Sequence, residues 1–152
     1  MKTIGIIGAR SRNSIQDYKE TLKVFNTVYE DGDKIVSGHC PRGGDKFAEI
    51  IAKDLGLTEE NGKLILHKSD WDKHGYNAGF ARNTYIAEDA DVIIALVKNN
   101  DDLFFGGTGD TIEKAIKLFG KGLEKDIILV PQISIEDFDQ ISIEDFDPLE
   151  EI

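Results

Sequence analysis

Apolar and polar positions along this chain follow two periods. Residues 3–8, 34–37, 63–67, 92–97 and 126–130 are runs rich in Ile, Val and Leu, the mark of short strands buried on both faces. Between them the apolar positions recur every three or four residues. Ile15, Tyr18, Leu22, Phe25 and Tyr29 make one helical face; Asn13 or Ser14 can cap that helix, with Asp17 three positions after Ser14, and Asp31, Gly32 and Asp33 break it. Phe47, Ala48, Ile51 and Leu55 mark a second helix that stops at Gly56. A short helix carries Arg82 and Asn83, and Ile112, Ala115, Ile116 and Phe119 mark one face of the last, with Pro131 closing the fifth strand.

Strands alternating with helices predict βαβ units on a parallel sheet. The expected fold is therefore α/β: a Rossmann-like three-layer arrangement with a mainly parallel, five-stranded or slightly larger sheet. In such sheets ligands lie outside the carboxyl ends of the strands. The polar or glycine-containing stretches at 8–13, 37–45, 69–77 and 106–111 all follow strands, so one composite site built from four loops is expected on that edge.

Composition narrows the setting. With 152 residues, 40% hydrophobic and 31% charged, the chain suits one soluble domain with a substantial core. No apolar run reaches the roughly 18–20 residues of a membrane span, and residues 1–4 open directly on a strand-like pattern, so no membrane partner is expected. Cys40 is the single cysteine and cannot form an internal disulfide, which points to a reducing, cytoplasmic localisation. A net charge of −11 argues against direct nucleic-acid binding, which depends on neutralising phosphates with Lys and Arg.

That charge is unevenly spread. Residues 131–152 hold eight carboxylates and no Lys or Arg, so residues 1–130 carry 21 acids against 18 bases, a balance of −3. The expected division is a Rossmann-like domain at 1–131 and an acidic tail at 132–152, and a locally positive pocket in the domain is compatible with the total. Within the tail, residues 133–139 (Ile, Ser, Ile, Glu, Asp, Phe, Asp) recur unchanged at 141–147. Such a tail is either a solvated acidic extension or a segment that binds a protein partner, or its own domain, through Phe138 and Phe146.

Chemistry concentrates in the loops. Residues 8–13 match neither the Walker A loop nor the dinucleotide fingerprint. Their position after the first strand still makes Gly8, Ala9, Arg10 and Arg12 candidate phosphate or ribose contacts. In the second loop Ser37, Gly38, Arg42, Gly43 and Gly44 precede Asp45; the two adjacent glycines free backbone N–H groups at a helix start, and Asp45 either caps that helix or accepts from a ribose hydroxyl. Trp71 either stacks on a base or seals the sheet edge. His39 beside Cys40 lacks zinc-like spacing, so neither metal nor cofactor is expected. Arg82 and Asn83 lie one buried strand before Gly106, Gly107, Thr108, Gly109, Asp110 and Thr111, which offer backbone N–H groups and two hydroxyls, with Glu113 one turn on. Guanidinium on one side and a helix N-terminus on the other suit a phosphate. Arg82 holding phosphate while Glu113 stabilises a ribosyl cation would serve N-glycosidic cleavage.

The combination of Ser37 and Gly38, Arg42 to Asp45 with Lys46, Phe47, Ala48 and Glu49, then Trp71, Gly75, Ala78, Gly79, Arg82 and Asn83, then Ala90 to Ala95, resembles the YspA-like branch of the SLOG superfamily across residues 3–130. The resemblance implies a Rossmann-like domain that binds a nucleotide or nucleotide-derived small molecule, and a homo-oligomer. The superfamily includes the DNA-processing protein DprA and the LOG phosphoribohydrolases, which release a free base from a nucleoside 5'-monophosphate. Arg82 and Glu113 match the LOG catalytic Arg and Glu. Asn83 stands where LOG enzymes have Lys, Phe105 where they have Pro, and Asp110 is inserted between Gly109 and Thr111. Ligand binding is accordingly the leading expectation, with phosphoribohydrolase activity and a tail-based interaction module as alternatives.

Overall fold

The computed structural model describes residues 1–75, 78–98 and 106–131, with the backbone alone for Trp71 and His74. Tyr76, Phe105 and the acidic tail with Phe138 and Phe146 lie outside the described residues. The elements run β1 (Thr3–Gly8), α1 (Ile15–Val28), β2 (Lys34–Ser37), α2 (Gly44–Leu55), β3 (Leu64–Leu66), α3 (Trp71–His74), α4 (Ala78–Asp89), β4 (Val92–Leu96), α5 (Gly106–Gly120) and β5 (Asp126–Leu129). All five strands are parallel in the order β3-β2-β1-β4-β5. This is the α/β, Rossmann-like three-layer fold that the alternation of periods predicts.

Side-chain alternation divides each central strand between two cores. Ile4, Ile6, Ile35, Ile94 and Leu96 pack with Tyr18 and Phe25 of α1 and Phe47 and Ile51 of α2. Ile7, Val36, Ile93 and Ala95 pack with Ile86 and Ala87 of α4 and Ile112 and Ala115 of α5. A period-2 strand covered on both faces has no polar side, which is why β1 and β4 read as unbroken apolar runs. Ser14 caps α1, with the reciprocal bond to Asp17 that completes a capping box. Among the described residues no helix is long and apolar enough to cross a membrane.

Two local expectations change. The glycine- and threonine-rich stretch is not a loop before a helix; α5 begins at Gly106, so residues 106–111 form its opening turns. On the same helix Ile112 and Ala115 are buried, but Ile116 and Phe119 stand 45% and 61% exposed. Each lies one turn beyond a buried residue of the same face, Ile112 and Ala115, and borders Asp126 and Ile127 at the start of β5, where only the last strand lies beneath the helix.

Arg12 also lies elsewhere than expected. Its side chain is buried, with Nε and Nη2 donating to Asp17 Oδ1 at 3.1 and 2.9 Å. Nη1 donates to the Val130 carbonyl at 2.6 Å and Nη2 to the Pro131 carbonyl at 3.0 Å. The guanidinium thus ties the loop after β1 to the cap of α1 and to the chain leaving β5. These are structural contacts, and Arg12 is absent from the candidate site below. Arg12→Met should strand the buried Asp17 carboxylate and cost about 3–5 kcal/mol of stability in urea unfolding, the usual loss when one partner of a buried ion pair is removed. A loss below about 1 kcal/mol, typical of surface pairs, would contradict this role.

Candidate functional site

Strand order reverses at β1: the chain goes outward through β2 and β3, then returns to place β4 on the other side. Connections leaving β1 and β4 diverge, opening a crevice between their carboxyl ends, the usual ligand position in open parallel sheets. A crevice of about 410 Å³ lies there, within the roughly 300–1,000 Å³ of small-molecule sites. Ile7, Gly8, Ala9 and Arg10 form one wall, Cys40 and Asp45 a second, Arg82, Asn83 and Ile86 of α4 a third. Lys98 and the α5 residues Gly106, Gly107, Thr108 and Thr111 close it.

The walls are set by backbone packing. A Cβ at Gly44 would fall 2.3 Å from the Ile7 carbonyl carbon, so only glycine lets the start of α2 lie on the end of β1. The Gly43 N–H, expected to be free for a ligand, instead donates to Asn13 Oδ1 at 2.9 Å. Gly43, Gly44 and exposed Arg42 are not among the lining residues. Ser37 is buried and donates to the Asp45 carbonyl at 3.1 Å.

Asp45 neither caps α2, whose N-cap is Gly43 without a side-chain bond, nor stands in open solvent. It is 7% exposed, and its carboxylate accepts from the backbone N–H groups of Cys40 and Gly38. Burial pushes its carboxyl above the usual range, opposed by the Arg82 charge and those two N–H donors and reinforced by Glu49. Gly38 separates the two charges: a Cβ there would lie 2.9 Å from Asp45 Oδ2 and 3.0 Å from Arg82 Nε.

Among the described residues Arg82 pairs with neither Glu88 nor Asp89 of its own helix; Asp89 instead meets His67. Its Nη2 donates to Asn83 Oδ1 at 3.3 Å, Nη1 reaches the Gly38 carbonyl only at 3.5 Å, and its buried Nε–H has no partner among the described residues. Asn83 Nδ2 in turn donates to the Gly107 carbonyl at 3.2 Å and to Asp110 Oδ2 at 3.1 Å, and Lys114 Nζ holds the same carboxylate oxygen at 2.8 Å. Asn83 and Asp110 are therefore bonded to each other and lock α4 to the first turns of α5.

Among the described residues the crevice thus carries Arg10, Arg82 and Lys98 against one carboxylate, Asp45, in a chain of net charge −11. Gly106, Gly107 and Thr108 add the opening turn of a 15-residue helix, whose first N–H groups have no intrahelical partner. Such a site can hold an anion with a hydrogen-bonding group beside Asp45. Of the expected contacts, Gly8, Ala9, Arg10, Asp45, Arg82, Asn83, Gly106, Gly107, Thr108 and Thr111 line it. Gly109 is buried, and Asp110 is engaged with Asn83 and Lys114. Glu113 is about half exposed, pairs with Lys117 at 3.5 Å and is not a lining residue. The Trp71 side chain lies outside the described residues. Ile7, Cys40, Ile86 and Lys98 were not anticipated. Ile7 and Lys98 flank strand ends, and Ile86 follows Arg82 by one helical turn, so the strand-end rule and the 3.6 period contain the signal for three of the four.

The chain matches no family model, no curated protein and no solved structure.

Asp45→Asn keeps an acceptor for the two backbone N–H groups and removes the charge. Because the folded carboxyl titrates above its ordinary value of 3.8, its contribution to stability is full below that pH and declines as pH rises through the folded value. The Asn variant lacks this decline. Its stability relative to the unmodified chain should therefore rise from about pH 4 upward in urea titrations. A relative stability that falls over the same range would show that Asp45 is a net stabilising charge.

Proposed function

We propose that the crevice binds a nucleotide or nucleotide-derived anion, with phosphate between Arg82 and the first turn of α5 and a sugar hydroxyl facing Asp45. One observation carries the reading: among the described residues the buried Arg82 Nε–H has no partner, and Arg82 lines a crevice with three cationic side chains and one carboxylate. Buried donors are nearly always satisfied, and a ligand oxygen would satisfy this one. Membership of the YspA-like branch of the SLOG superfamily belongs to the same proposal. It rests on the motifs at 37–49, 71–83 and 90–95. A homo-oligomeric state and a cytoplasmic setting follow from the resemblance and from the single cysteine.

Binding is favoured over N-glycosidic cleavage because Arg82 and Glu113 are not gathered around one space. Glu113 points its carboxylate at Lys117 outside the crevice, whereas cleavage needs a carboxylate against the ribose. Asp45, the carboxylate that does line the crevice, is bonded to backbone N–H groups. It is placed to receive a hydroxyl.

Isothermal titration with nucleoside monophosphates and the matching nucleosides tests this reading. Nucleotides should bind, and nucleosides should bind more weakly. Arg82→Ala should weaken nucleotide binding by roughly 10- to 100-fold, the range for a charge-assisted hydrogen bond, with little effect on the nucleoside. Absence of binding by every nucleotide tried would sink the proposal. Free base detected by chromatography after incubation would replace it with the hydrolase reading.

A further inference from the structure

The sheet has an uncovered edge on the side away from β3. β5 is the last strand, and among the described residues nothing pairs with its outer side. The Asp126 N–H donates to the Asp91 carbonyl and the Val130 N–H to the Ala95 carbonyl, both toward β4. With a two-residue period, the N–H groups of Ile127 and Leu129 point to the open edge. The strand is apolar, and Leu129 is 41% exposed. Beside it lies a groove of about 270 Å³ lined by Ala115, Ile116, Phe119 and Ile127, with Phe119 61% exposed at its rim. An apolar edge with free backbone donors invites strand addition from another chain, and proteins cover or blunt such edges.

Charge selects the occupant. Lys125 and Asp126 line the groove with the apolar residues, and Lys117 and Lys121 stand exposed on the same end of α5 and the turn after it. The 21 residues after Pro131 contain eight carboxylates and no Lys or Arg, and they begin where β5 ends. Each copy of their repeat carries Ile, Ile and Phe among acids, apolar enough to pair along an edge and acidic enough to meet the lysines.

We infer that the outer edge of β5 is the docking site of this chain's own C-terminal tail, one copy of the repeat at 133–139 or 141–147 pairing with the strand. A chain leaving the carboxyl end of β5 that returns along the same edge runs antiparallel, the arrangement a short connection allows. The paired copy accepts from the Ile127 and Leu129 N–H groups, shields Leu129 and brings its Phe toward Phe119. The partner is intramolecular, so the tail closes the sheet against association with other chains. This inference is independent of the ligand assigned to the crevice.

Amide hydrogen exchange, followed by NMR, tests it on the full chain and on a full-length Ile135→Pro/Ile143→Pro variant. Proline in both copies blocks pairing without altering charge or length. The Ile127 and Leu129 amides should exchange at least about tenfold more slowly in the unaltered chain than in the variant. Ile93 and Ile94 amides of β4 should stay equally protected in both, which shows that the variant is folded. Equal exchange at Ile127 and Leu129 in the two proteins would overturn the inference. So would protection that grows with protein concentration, because the edge would then be covered by a second copy.

Discussion

The structure depends on one contact between backbones: the start of α2 lying directly on the end of β1. Only glycine at position 44 permits it, since a Cβ would meet the Ile7 carbonyl carbon at 2.3 Å. That contact brings the loop after β2 against the loop after β1. The reversal of strand order then puts β4 and its outgoing chain on the other side. The crevice is the space these diverging connections leave. Its walls come from segments up to about a hundred residues apart in sequence, from Ile7 to Thr111.

Charge is sorted by this geometry rather than by composition. The chain is acidic as a whole, yet three cations gather where β1, α4 and β4 bring them, around the buried carboxylate of Asp45. Asp45 is held by backbone donors and Arg82 by its neighbour Asn83, so each charge has a fixed position while keeping part of its hydrogen-bonding capacity for something else. Asn83 and Asp110 act together. The Asn83 amide takes the Asp110 carboxylate as its partner, and the pair fixes the helix start that faces Arg82. Preorganised donors of this kind bind an anion without a further ordering cost.

The tail and the edge of β5 pose a complementary problem. A five-stranded open sheet has two edges; β3 is short, whereas β5 is apolar and lies beside an exposed stretch of α5. Ile116 and Phe119 continue the buried face of α5 by one turn, and they stand exposed beside β5, the last strand of the sheet.

Fold class was legible in the sequence because both periods are local. Five apolar runs and the helical spacing between them specify βαβ units, and the strand-end rule locates the site without any side-chain detail. The capping box of Ser14 and Asp17 was equally local. Roles that depend on which distant groups meet a side chain were not legible. Arg10 and Arg12 are two residues apart in the same loop, yet Arg10 lines the crevice and Arg12 is buried against Asp17 and the end of β5. Asp45 looked like a cap or a ligand contact, and tertiary packing made it a clamp on its own loop that also faces the crevice. Glu113 sits at the expected spacing from Arg82 and points elsewhere, since spacing along a helix sets the angle of a side chain but not what the opposite wall presents. Sequence alone determined the elements and the edge of the sheet where the crevice lies; only the tertiary structure decided which charges share it, because the meeting of Arg10, Asp45, Arg82 and Lys98 from separate elements has no local signature.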